Sequence, residues 1–178
     1  AMTRLDENRA KSQLAEKAGA PVSEVSQLCV WGNHSPTMFP DFFNARIGRR
    51  KATEAITDLG WLKDTFVPLV GQRGKAIIEA RGASSAASAA SAVVDTVRDL
   101  IEPTRGDFHS VCVKSSGEYG TPPGIITSLP VRVDGIGNWR VVEGITLNPY
   151  AREKIAASNE ELLEERRLAF SQLGLTAS

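Results

Sequence analysis

The stretch Leu28-Cys29-Val30-Trp31-Gly32-Asn33-His34-Ser35 holds the side chain in this sequence best suited to chemistry. An apolar run with strand character stops at a glycine, and an Asn-His-Ser turn follows directly. A strand anchored in a core would place the His34 imidazole at the rim of something rigid, the usual way a loop-borne catalytic group is held. Imidazole is also the side chain whose ordinary titration range spans neutral pH. The other histidine, His109, lies in a strand-like run instead. On its own, a histidine in such a loop is more often a solvent-facing or hydrogen-bonded structural residue. A second pair, Asp6 and Arg9, stands three residues apart in a helical pattern and projects from one face. Taken alone, that pair reads as a surface ion pair contributing well under about 1 kcal/mol.

The chain that must position these groups has 178 residues, enough for one domain with a sizeable core. Its 42% hydrophobic and 24% charged content is ordinary for a globular protein. Twenty-one Lys and Arg balance twenty-one Asp and Glu, so no net basic field favours nucleic acid or an anionic membrane surface. No apolar run approaches the ~18 residues of a membrane span, and the opening residues carry no signal- or transit-peptide pattern. Cys29 and Cys112 both lie in apolar runs and read as small buried hydrophobes in a reducing compartment. With the two histidines far apart and no Cys-x-x-Cys pair, no metal site is expected. The chain enters a helical pattern almost at once, without Met at position 1, which reads as a piece of a longer chain.

Apolar spacing predicts a helix over residues 3–18, stopped by Gly19. A strand follows over Leu28–Trp31, then a short strand over Asn44–Ile47 and a short helix within 52–58. One long amphipathic helix is expected from Trp61 to Arg81, bent or weakened by Pro68 and Gly74. Its apolar face would include Leu62, Phe66, Leu69, Val70, Ala76, Ile77 and Ile78. Another helix runs from Ser85 to Ile101, and its Ala/Ser-rich start suits close approach to a neighbouring helix. Strands are expected over Phe108–Val113, Ile126–Val133 and Trp139–Val142, the last two joined by a hairpin at Asp134–Asn138. The final helix covers Asn148–Leu173, with Glu160, Glu161, Glu164 and Glu165 in water and Ile155, Leu162, Leu163, Ala169 and Phe170 inward. Gly135-x-Gly137 is no nucleotide loop, since Arg140 takes the third glycine position and no helix follows. The pattern is α+β: long helices packed on short, mostly antiparallel strands.

Three pieces of the sequence, in order and at compatible spacing, carry a resemblance. They are Thr3-Arg4-Leu5-Asp6-Glu7-Asn8-Arg9-Ala10, Trp31-Gly32-Asn33-His34-Ser35 and Arg81-Gly82-Ala83-Ser84-Ser85-Ala86. Together they resemble the catalytic half of malate dehydrogenases, closest to the cytosolic and plastid type within the lactate/malate dehydrogenase superfamily. The similarity continues through Ser110–Pro130 and Val142-Glu143-Gly144 into the final helix, so it covers nearly the whole chain. It implies a C-terminal substrate domain over residues 1–178, without the N-terminal Rossmann domain that binds the cofactor.

By position, the resemblance makes His34 the general acid–base of malate–oxaloacetate interconversion and Asp6 the residue that orients its ring. Arg9 would clamp the substrate carboxylate, and Ser84 would line the pocket beside substrate and nicotinamide. NAD or NADP is the implied cofactor and malate or oxaloacetate the implied ligand. A homodimer is implied too, in the cytoplasm or alternatively a plastid. The chain by itself is expected to show little or no turnover, because hydride transfer needs the cofactor held against the substrate. The alternative is a non-catalytic remnant that self-associates or binds dicarboxylates.

Overall fold

The computed structural model describes residues 1–175. Its first element, α1 (Met2–Ala18), buries Thr3, Leu5, Asp6, Glu7, Ala10, Leu14 and Ala15. These positions run most of the way round the helix, and two of them are carboxylates. Gly19 ends it in the left-handed region, and the Gly19 and Ala20 amides return to the carbonyls of Glu16 and Ala15. This six-residue closure satisfies the last turn, and glycine enters it without steric penalty.

After α1 come five two-residue strands: β1 (Val25–Ser26), β2 (Val30–Trp31), β3 (Phe39–Pro40), β4 (Arg46–Ile47) and β5 (Arg50–Lys51). β1, β4 and β5 form one antiparallel sheet, and β2 pairs with β3 in another, Val30 opposite Pro40 and Trp31 opposite Phe39. The expected strand from Leu28 is thus trimmed to Val30–Trp31. Leu28 and Cys29 stay buried ahead of it, while Asp41 closes the pair by donating its amide to the Cys29 carbonyl.

A short helix α2 (Ala52–Ala55) precedes the largest departure from the sequence reading. The helix expected over 61–81 is four pieces: α3 (Leu59–Trp61), a π-helical stretch (Leu62–Phe66), α4 (Val67–Gly71) and α5 (Arg73–Arg81). Pro68, within the first turn of α4, has no N–H to return to the preceding turn. The wider winding of Leu62–Phe66 accommodates it and still points Leu62 and Phe66 into the core. Gly71 lies close to the loop that carries His34: a Cβ there would stand 3.3 Å from the Pro36 carbonyl oxygen. The chain turns at Gln72, and α5 buries none of its residues. Ala76 and Ile78, expected inward, are therefore exposed.

α6 (Ala87–Ile101) lies along α1 with Ala92 buried, and Asn8 donates to Asp95 across the contact at 2.8 Å. The third sheet orders β6 (His109–Lys114), β7 (Ile126–Gly135) and β8 (Asn138–Val141), all antiparallel. Its β7–β8 turn falls where the glycine-rich hairpin was expected. Cys112 on β6 is exposed, correcting the reading of two buried cysteines, while Cys29 is buried.

The last element, α7 (Pro149–Leu173), starts with the Asn148 side chain accepting the Ala151 amide at 2.8 Å. It buries Ala151, Ile155, Ser158 and Asn159. Beyond them Leu162, Leu163 and Phe170 are only half-buried and Ala169 is exposed. The core they help enclose contains Leu14, Leu28, Trp31, Phe39, Phe42, Leu62, Phe66 and Leu129.

Glu7 docks α1 on the rest of the fold. Fully buried, it accepts the Ser110 amide at 2.7 Å and Lys11 Nζ at 2.8 Å, and pairs with Arg4. His109 stands 3.5 Å from its carboxylate and 3.3 Å from Asp99. Burial pushes the Glu7 carboxyl up, but Lys11, the His109 hydrogen bond and Arg4 outweigh it and hold it well below the ordinary carboxylate range. A carboxylate with a depressed native pKa stabilises the fold above its unfolded-state value and loses that contribution as pH falls. Stability should therefore decline as pH drops below about 4.5. Glu7→Gln should cost about 3 kcal/mol at pH 7, leaving Lys11 without its carboxylate while Arg4 keeps Asp99 at 2.9 Å, and should flatten the acid decline. Urea unfolding at pH 7 and pH 4 measures both effects.

Candidate active site

One carboxylate organises the site. Asp6 and Glu7 are neighbours in sequence, and a helix turns about 100° per residue, so the two acids leave α1 in different directions. Asp6 is fully buried. Its Oδ2 lies 2.5 Å from His34 Nδ1, and its Oδ1 accepts Arg9 Nη1 at 3.2 Å. With a carboxylate oxygen as acceptor, His34 donates from Nδ1, which leaves Nε2 turned away from Asp6. The His34 side chain is 34% exposed and that of Arg9 is 13% exposed. An imidazole and a guanidinium are thus fixed relative to each other by the two oxygens of one buried side chain.

The loop bearing His34 leaves β2 at Gly32, whose backbone pairs with Ser128 of β7 in both directions, at 3.2 and 2.7 Å. This bridge ties the small β2–β3 pair to the long strand of the third sheet. Val30 adds a bond from its amide to Ser110 Oγ at 2.8 Å, and Trp31 Nε1 donates to Asp41 at 3.2 Å. The two-residue strand is held by cross-links to β6 and β7 more than by its own length.

Asp6, Arg9 and His34 are brought together. Ser84 stands apart, exposed in the turn between Gly82 and α6. Its neighbour Ser85 accepts Arg9 Nη2 at 3.2 Å. The serine that touches the guanidinium is one residue beyond the position singled out from sequence, at a helix start where either serine fits a capping pattern. A guanidinium has five N–H donors, and Asp6 and Ser85 engage one on each terminal nitrogen, so donors remain for an anion. A cleft of about 330 Å³ opens beside Arg9, lined by Asn8, Ser12, Arg73 and Ser88. Neither His34 nor Asp6 lines it, so it is not the space where a substrate would meet the imidazole. Among the described residues, no group of three or more His, Cys, Asp or Glu side chains could hold a metal ion.

Fold and site together set a histidine and an arginine on the two oxygens of one buried carboxylate. The sequence model for the α/β C-terminal domain of lactate/malate dehydrogenases matches residues 3–172, and the chain belongs to this family of oxidoreductases. Among solved structures, a malate dehydrogenase from Naegleria fowleri is 41% identical with a TM-score of 0.87, covering 94% of this chain and 51% of that one. A lactate dehydrogenase from Trichomonas vaginalis, in complex with NADH and oxamate, is 34% identical with a TM-score of 0.89, covering 96% and 53%. The fold extends to a malate dehydrogenase from Aeropyrum pernix at 22% identity and a TM-score of 0.74, over 90% and 52% of the two chains. This chain spans about half the length of the solved proteins it matches.

Proposed function

We propose that this chain is the substrate-binding and catalytic portion of a malate dehydrogenase, interconverting malate and oxaloacetate with NAD or NADP. The observation that carries the reading is Asp6, holding His34 with one oxygen and Arg9 with the other. In the reducing direction, the remaining N–H donors of Arg9 take the substrate carboxylate and set its carbonyl against His34. Nε2 of the charged imidazole then gives its proton to the carbonyl oxygen as hydride reaches the carbon, leaving an alcohol and a neutral ring. In the oxidising direction Nε2 removes the hydroxyl proton. Ser85, with Ser84 beside it, would bound the site on the α6 side.

The nicotinamide cofactor supplies or accepts the hydride when bound. Among the described residues no glycine-rich strand–turn–helix cradles a dinucleotide pyrophosphate. The donor set fits the substrate half of the reaction, and in this reading a separate nucleotide-binding domain holds the cofactor. The 178-residue chain alone is then expected to turn over little or nothing.

The preference for malate over lactate draws on the sequence motifs and on the 41% identity to a malate dehydrogenase. Val93, Val94, Val97 and Ile101 form an exposed apolar row on α6. That row suits the homodimer this reading implies, and it also favours a second reading: a remnant that self-associates or binds dicarboxylates without turnover. NADH oxidation by the intact protein purified from its source separates these, run with oxaloacetate and with pyruvate while the protein's mass is measured. A kcat/KM for oxaloacetate at least about tenfold above that for pyruvate supports the malate reading. A preference for pyruvate moves the protein to the lactate branch. No turnover from a product of this chain's own mass leaves the remnant reading.

A further inference from the structure

The loop on either side of His34 is held by the last helix. Gly32 has φ +91°, and a Cβ there would stand 2.1 Å from Ser158 Oγ, so α7 approaches the backbone more closely than any side chain at position 32 would allow. Ser158 Oγ accepts the Asn33 amide at 2.9 Å. One turn along the same face of α7, Glu161 Oε2 accepts the Ser35 hydroxyl at 2.8 Å and also the Thr37 hydroxyl. The loop is cross-linked as well: Thr37 N–H gives to Ser35 Oγ at 3.2 Å, the Asn33 side-chain amide gives to Thr37 Oγ1 at 2.9 Å, and Thr37 Oγ1 lies 3.2 Å from Asn33 Oδ1 and 3.0 Å from Ser35 Oγ. Hydrogen bonds from Thr37 and Ser35 outweigh partial burial and hold the Glu161 carboxyl below its ordinary range, so it is a charged acceptor at neutral pH. Asn33 and Ser35, the residues immediately before and after His34, are both attached to α7, while α1 holds the imidazole itself.

We propose that Glu161, with Ser158, is a positioning residue for the proton-transfer step: it fixes the backbone that aims His34 Nε2, without touching the ring. The inference rests on His34 being the proton-transfer group, but the backbone part of it is measurable without turnover. Asp6 sets the position of Nδ1 only. The ring direction also needs the Cα–Cβ axis held, and the Asn33–Thr37 ring of hydrogen bonds around Glu161 does that.

The test begins with the 15N-labelled 178-residue chain, read by amide hydrogen exchange and by the ring resonances of its two histidines. Glu161→Ala should speed exchange at Asn33 and Thr37 by about tenfold or more and shift or broaden the His34 ring signals, with the His109 signals unchanged. Glu161→Gln keeps a carbonyl acceptor at the same place and should recover most of the protection. Thr37→Val, which removes one donor at nearly constant volume, should act in the same direction as Glu161→Ala and serves where the alanine variant does not fold. In the intact dehydrogenase, Glu161→Ala should lower kcat by about tenfold to a hundredfold with KM moved less than about threefold. Unchanged exchange at Asn33 and Thr37 in the alanine or valine variant overturns the proposal. So does a loss of stability with unaltered kcat. If His34→Asn leaves turnover intact while the exchange results come out as expected, the functional reading fails and the structural clamp stands.

Discussion

Replacing His34 by asparagine in the intact dehydrogenase should lower kcat with oxaloacetate by about 10³- to 10⁴-fold, with little change in folding. Asparagine can still donate an N–H toward Asp6 Oδ2, so the buried carboxylate keeps a partner and α1 stays docked. What is lost is the nitrogen at the Nε2 position, the atom to which the proposed mechanism gives the reacting proton. Hydride arriving at the carbonyl carbon would then leave an alkoxide with no acid beside it. Arg9 keeps its bonds to Asp6 and Ser85, so KM for the keto acid should stay within about threefold of the unaltered protein. Steady-state kinetics across pH 6 to 9 measure this. A kcat within tenfold of the starting value would remove His34 from the chemistry.

Gly32→Ala should destabilise the protein by about 4 kcal/mol, among the largest effects of any single methyl group in the chain. Two costs add. The backbone at φ +91° lies where side-chain-bearing residues are strained, at about 1–3 kcal/mol. The new methyl would also meet Ser158 Oγ at 2.1 Å and Ser158 Cβ at 2.6 Å, and both atoms sit on a helix whose neighbours are packed. Relief requires moving α7 or breaking the Gly32–Ser128 bridge. Ser158→Gly removes both offending atoms along with the Asn33 acceptor, so on that background Gly32→Ala should cost about half as much as in the unaltered protein, the strained φ remaining. Guanidinium unfolding of the single and double variants gives the numbers, and a cost below about 1 kcal/mol for Gly32→Ala would show that α7 does not approach as closely as described.

Much of this arrangement could be read from the sequence wherever a local rule governs. Gly19 stops α1 because a left-handed position follows the periodic residues, and Asn148-Pro149 opens α7 because a capping amide precedes a proline. The β7–β8 hairpin follows from its glycines. The pieces that escaped are decided by contacts between distant segments. Nothing local says that Leu62–Phe66 winds wide or that Gly71 approaches Pro36. The inward placement expected for Ala169 followed helical period, yet the second half of α7 runs past the core it was expected to cover. At the site, Asp6, Arg9 and His34 are legible as a motif. That Ser85 is the serine meeting Arg9 turns on one residue of phase at a helix start. Glu161 was assigned to water because a glutamate in a run of glutamates carries no sign of the hydroxyls it will meet.

The long sequence separations across the site bear on the order in which it is built during synthesis. Asp6 and His34 are 28 residues apart, so the pair can form early. The bond from Ser110 to Glu7 closes 103 residues of chain, and those from Asn33 to Ser158 and Ser35 to Glu161 close 125 and 126. A chain emerging N-terminus first carries all its reactive side chains before it has the helix that orients them. Closing such long loops is slow because their entropy is lost before the contacts form. A nascent chain halted before α7 would therefore hold Asp6, Arg9 and His34 with the histidine loop still unanchored at both shoulders, and full alignment would be among the final events of its assembly.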